Sequence, residues 1–253
     1  MHSCSYLIYC TVVQVPHTIP HIVPHTSFRM LPSDKFILNY HDAILYESDI
    51  ELLTSETEWL NDACIHFYMT VLQQRYPRVK FIDPSVVTFL MHQCDDEDMQ
   101  EFSSSFDKGY SAYVVPINDG HKKGSFWQEV GCGSHWSVLL IRSDFVYVHA
   151  DSVSGKNAQA ALAVAEKMSI VFGHNKFISV TELRTPQQHN GYDCGIHTLA
   201  AAEILAGAEC GSIKFYEELL GNAKLAYPGF GREMRREVLA MAVELSRDWK
   251  RSR

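Results

Sequence analysis

Residues 135–151 read HWSVLLIRSDFVYVHAD. Two strands stand out in this stretch, "HWSVLLI" (135–141) and "FVYVHA" (145–150). Both are rich in β-branched and aromatic residues and are bounded by Ser and Asp. If they pair side by side and antiparallel, the start of the first lies beside the end of the second. His135 and Asp151 then meet at one edge of a sheet.

Upstream, "YSAYVVPI" (110–117) reads as a third strand, separated from the first pair by the polar, Gly-rich loop "NDGHKKGSFWQEVGCGS" (118–134). Downstream, Asn157 to Phe172 has the pattern of an amphipathic helix stopped by Gly173, and "KFISVTEL" (176–183) reads as a fourth strand. A helix is expected from Asn61 or Asp62, with Ile65, Tyr68, Val71 and Leu72 on its apolar face. A second starts at Pro84, behind Asp83, and runs through Val86, Phe89 and Leu90. The acidic run Asp95–Asp98 interrupts the hydrophobic pattern and is read as a solvated loop. Three more helices are expected over 195–206, 212–226 and 231–249. Helices, then strands with one helix inserted, then helices make an α+β fold, and the chain is read as one domain over 36–253.

Residues 1–35 differ. Pro16, Pro20 and Pro24 recur every fourth residue and forbid a helix, so this segment is read as an extended, disordered tail. His17, His21 and His25 share no helix face there, and a solvated tail is preferred to a metal site. The first fifteen residues lack the basic region of a signal peptide, and Met30 is a candidate alternative start.

The 253 residues carry a formal net charge of −8, which disfavours nucleic acid as a main partner. No run of about 18 apolar residues offers a membrane span. Seven cysteines without a C-x-x-C pair fit reduced thiols, hence a cytoplasmic or nuclear location.

The motifs of serine hydrolases, zinc proteases, P-loops and dinucleotide-binding folds are absent. What remains is Cys194, in "GYDCGIHTLAAAEIL" (191–205), at a Gly-flanked turn entering a helix. A helix N-terminus favours a thiolate, and Gly195 leaves room for a carbonyl near the backbone amides. Alone, such a cysteine is more often a small buried residue. A nucleophilic thiol needs a base and an orienting group. His135 and Asp151 offer both, and Gln188 offers an amide N–H for an oxyanion.

The set "SHW" (134–136), "HADS" (149–152) and "QHNGYDCG" (188–195) resembles the His…Asp…Gln…Cys signature of the sentrin/SUMO-specific cysteine proteases, and "WLND" (59–62) resembles their substrate-side motif. The resemblance spans about residues 36–249. It implies a papain-like fold of the adenain/ubiquitin-like-protease type, with a central mixed sheet flanked by helices. It also implies catalysis by Cys194, His135 and Asp151 with Gln188 in the oxyanion hole, no cofactor and no metal. Trp59, Asn61, Asp62 and Trp136 fall on the substrate side, with Trp136 over the tunnel for a Gly-Gly tail. Glu58 and Asp62 are candidates to meet arginines just upstream of that tail. "DAILYESDIELL" (42–53), "DPSVVTFL" (83–90), "VVPIND" (114–119) and "VAEKM" (164–168) are similar to the deneddylase branch. The implied partner is a ubiquitin-like modifier and its conjugates, the neddylation modifier favoured over SUMO. The protein is expected to act as a monomer, with neither nucleic acid nor membrane.

Three readings stand at this point. One is deneddylation, with SUMO cleavage as its nearest variant. The second is an acyltransferase of the same clan, which has no need of "WLND". The third is an inactive modifier-binding module, which would be expected to have lost one of the four site residues. His149 and His189 flank Asp151 and Cys194, and the alternation of strand faces turns His149 away from its neighbours.

Overall fold

Strands β4 (Ala112–Asn118) and β5 (Trp136–Arg142) lie inside a five-stranded sheet and are buried almost throughout. A strand covered on both faces has no solvent side, so its sequence runs apolar instead of alternating. The computed structural model describes residues 34–121, 133–174, 177–209, 211–223, 225 and 227–251. The Pro/His-rich segment, the loop residues Lys122, Lys123, Trp127 and Cys132, and Cys210 lie outside the described residues.

From Asp34 onward the chain forms one unit. It begins with a hairpin, β1 (Phe36–Tyr40) and β2 (Ala43–Tyr46), and helix α1 (Glu47–Thr54). Helix α2 (Asp62–Arg75) follows, then β3 (Val79–Phe81), α3 (Pro84–His92) and α4 (Asp96–Ser105). After β4 and β5 come β6 (Tyr147–Ala150), α5 (Ala158–Val171), β7 (Val180–Glu182), α6 (Cys194–Ala208), α7 (Ile213–Asn222) and α8 (Phe230–Arg251).

The sheet order is β3-β4-β5-β6-β7. The two edge strands pair parallel to their neighbours and the three inner strands are antiparallel. Alternate residues feed two cores. Val114, Val138, Leu140 and Val148 belong to the core shared with α2 and α6, and Val115, Ile117, Leu139 and Ile141 to the core shared with α3 and α5. The Ala-rich segments of α5 and α6 let these helices lie close to the sheet, with Ala160, Ala161, Ala165, Ala201 and Ala202 at most 2% exposed.

The acidic run is not a loop. Asp95 caps α4, accepting hydrogen bonds from the amides of Glu97 and Asp98, while Asp98 accepts one from the amide of Asp95. Acidic residues in a first helical turn meet the positive end of the helix dipole, so the charge that suggested solvation instead starts a helix. The expected fourth strand shrinks to three residues at the sheet edge, and β3 is an additional edge strand. Among the described residues no helix is long and apolar enough to cross a membrane.

Candidate active site

β5 and β6 pair antiparallel, with Val138 opposite Ala150. This register sets His135, just before β5, beside Asp151, just after β6. Their side chains meet at 2.6 Å, Nε2 to Oδ1. Both residues are nearly inaccessible, His135 at 2% and Asp151 at 4% exposed. Asp151 also accepts hydrogen bonds from the amides of Val153 and Asn157, each at 2.9 Å. Burial alone would raise its carboxyl, but the bonds from His135, Val153 and Asn157 outweigh that and hold it below the usual carboxylate range.

With Nε2 committed to Asp151, Nδ1 is the ring nitrogen left to interact with Cys194, which acts on the His135 imidazole. Burial opposes a charged imidazole here. The hydrogen bond to the Asp151 carboxylate, and then the interaction with Cys194, outweigh that and lift His135 to about 9. Cys194 is the first residue of α6, where unpaired backbone N–H groups point outward. His135 thus bonds Asp151 and interacts with Cys194, the order of groups that a nucleophile–base–orienter arrangement would need.

The backbone of His135 is held as well. Asp119 accepts from its amide at 3.1 Å and from the Ser134 hydroxyl at 2.7 Å. Gln188 is half-buried and its amide has a fixed orientation. Its Oε1 accepts from the Ser152 hydroxyl at 2.7 Å, so Nε2 faces the loop before Cys194 and donates to the Asn190 carbonyl at 2.6 Å. That bond uses one of the two N–H groups on Nε2.

The "WLND" segment lies against the same loop. Trp59, 49% exposed, donates from Nε1 to the Gly191 carbonyl at 2.8 Å. Trp136 is buried and donates to the Leu60 carbonyl at 2.9 Å. A Cβ on Gly195 would stand 3.0 Å from Leu60 Cβ, so the glycine here serves close packing of α6 on this segment. Asn61 caps α2 through the Cys64 amide and donates to Asp49 at 2.6 Å, which commits both ends of its side chain. Asp62 is half-buried. Burial, then the nearby charge of Asp83, pushes its carboxyl up to about 6. Glu58 is exposed.

A profile described as the Ulp1 protease family, C-terminal catalytic domain, matches residues 58–213. The chain belongs to the Ulp1 protease family. It is 30% identical over 220 residues to NEDD8-specific protease 1 of Arabidopsis thaliana, covering 84% of this chain and 94% of that one. It is 31% identical over 180 residues to human sentrin-specific protease 8, covering 68% of this chain and 82% of that one. The fold is that of a solved C-terminal Ulp1 protease domain in complex with Smt3, the yeast ortholog of SUMO. That match has a TM-score of 0.59 at 20% identity, covering 86% of this chain and 90% of that one. The Ulp1-family assignment makes this chain a cysteine peptidase.

Sequence reasoning missed the residue that ties the Trp59 and Cys194 segments together. Arg235, on α8 and beyond the matched span, is only 2% exposed. Its guanidinium bonds Asp193 Oδ1 at 3.2 Å and the carbonyls of Leu52, Glu58 and Tyr192 at 3.0, 2.6 and 3.3 Å. It thus joins the residue before Trp59 to the residue before Cys194. Asp119 and Asn157 were missed too, and the Asp in "YDCG" was the one local signal of the buried ion pair. His149 is fully buried between Ser137 Oγ and Glu182, each at 2.8 Å, so both its ring nitrogens are occupied away from Cys194.

Proposed function

We propose that this chain is a deneddylating isopeptidase, cleaving after the terminal Gly-Gly of the neddylation modifier in conjugates or precursors. The observation that carries the reading is the buried His135–Asp151 pair, with Cys194 acting on the same imidazole, beside the Trp59–Leu60 segment. His135 takes the thiol proton, and the sulfur of Cys194 attacks the carbonyl carbon of the modifier's last glycine. Asp151 keeps the imidazole oriented and balances its charge. The oxyanion is received by the Cys194 amide and the second N–H of Gln188. His135 then protonates the leaving amine, and water, deprotonated by His135, hydrolyses the thioester and restores the thiol. Trp59 and Trp136 flank the tail. Asp62, a half-buried acid with no cation paired to it among the described residues, receives a tail arginine. Identity to proteins named NEDD8-specific supports this modifier.

Covalent capture tests it. NEDD8, SUMO and ubiquitin, each carrying a C-terminal electrophile, are incubated with the protein and with Cys194→Ala. A NEDD8 adduct absent from the variant is the expected result. An adduct with SUMO alone overturns the modifier, and no adduct with any of the three overturns the reading.

A further inference from the structure

Asn157 occupies the N-cap of α5 and makes no side-chain cap hydrogen bond. Asparagine is favoured at that position because its side-chain oxygen can accept from the first free amides of the helix. Here the side chain turns away. Asn157 is fully buried, and its Nδ2 donates to Ser137 Oγ at 2.9 Å, His135 O at 3.2 Å and Ile117 O at 3.3 Å. Among the described residues its Oδ1 is buried without a hydrogen-bond partner. Two carbonyls can only accept, so they fix which way the amide faces. Ser137, receiving from Asn157, has its own proton for His149 Nε2, and His149 Nδ1 lies against Glu182. Meanwhile the backbone amide of Asn157 donates to Asp151 Oδ2. The side chain therefore grips the main chain of His135 while leaving its own helix uncapped, and the backbone amide, which any residue but proline would supply, holds Asp151. A side chain serving only the stability of α5 would do the reverse.

We infer that Asn157 is a positioning residue for the cysteine chemistry, setting the distance and angle between His135 and Asp151. The inference rests on the proposed roles of those two residues. A buried partner that orients a reacting group through hydrogen bonds governs rate more than substrate affinity.

The test uses Asn157→Ser, Asn157→Ala and, as a control of α5 packing, Met168→Ala, a buried residue on the same helix away from the site. Two assays are run. One is turnover of NEDD8 carrying a C-terminal fluorogenic amide, and the other is the rate of Cys194 alkylation by iodoacetamide between pH 5 and pH 10. Both Asn157 variants are expected to lose roughly 30-fold in kcat with KM within about twofold. They are also expected to lose most of the wild-type alkylation at pH 6 relative to pH 9. Met168→Ala lowers thermal stability and leaves the alkylation profile unchanged. A wild-type profile in Asn157→Ser overturns the inference, as does an equal change in Met168→Ala. Serine supplies a competent cap, so unfolding of Asn157→Ser would also overturn it by showing a structural role. Wild-type alkylation at pH 6 without NEDD8 turnover removes the deneddylase reading and leaves Asn157 in place.

Discussion

Arg235→Met removes a guanidinium that is 2% exposed and leaves Asp193, 7% exposed, as a buried carboxylate without its cation. Methionine fills much of the volume but donates nothing, so the carbonyls of Leu52, Glu58 and Tyr192 lose a donor together. Breaking one side of a buried pair costs about 3–5 kcal/mol, because the remaining charge stays desolvated. Asp193 keeps the Asn190 Nδ2 bond at 2.8 Å, which places the expected loss toward the lower half of that range. For a domain of this size each kcal/mol moves Tm by about 2–4 °C, so a fall of about 10 °C is expected. Thermal and urea unfolding measure it. Adding Asp193→Asn removes the stranded charge and is expected to restore about 2 kcal/mol, so the double variant is more stable than Arg235→Met alone. Because Arg235 joins the segments carrying Trp59 and Cys194, the folded single variant is also expected, on the proposed function, to capture NEDD8 more slowly. A loss under about 1 kcal/mol, or a double variant as unstable as the two single losses added, refutes the reasoning.

Asp62→Asn is expected to stabilise the protein at pH 7 by on the order of 1–3 kcal/mol while slowing capture of the modifier. Its native pKa of about 6 lies above the ordinary 3.8. The charged form therefore costs stability above pH 6, and the advantage of the variant vanishes toward pH 4 in a Tm-against-pH series. The His135 value runs the other way in charge. Raised to about 9, it contributes stability present below about pH 6.5 and lost as pH rises through 9, so the Tm deficit of His135→Gln shrinks from pH 6 to pH 10. In peptide mapping after iodoacetamide at pH 6, Cys194 is expected to label well before Cys64. The Cys64 thiol is fully buried and is pushed far up by burial and then by Asp49, and equal labelling would remove the case for an activated Cys194.

The two-strand reading of residues 135–151 carried to the structure because both strands are apolar, buried and separated by a short turn. That register alone put His135 beside Asp151. Elements with weak local signals were harder to read. The hairpin β1–β2 turns through His41 and Asp42 at φ 47° and 70° without a glycine, and Asn39 holds the turn through the Asp42 amide. Helix α4 was hidden because its cap and first turn are all acidic, a composition shared with loops. Arg235 and Asn157 were illegible for a different reason. Their partners lie far away in sequence, up to 183 residues in the case of Arg235 and Leu52, and no local pattern encodes a contact that only tertiary packing creates.

That separation has a kinetic consequence during synthesis. Cys194, His135 and Asp151 all leave the ribosome before Arg235, and at about 5–20 residues per second the intervening chain takes on the order of 2–8 s to make. Until α8 is made and docks, the loop before Cys194 and the segment before Trp59 lack the guanidinium that joins them. The nascent chain thus holds every residue of the signature while the segments around Trp59 and Cys194 are still untied, and their joining comes last.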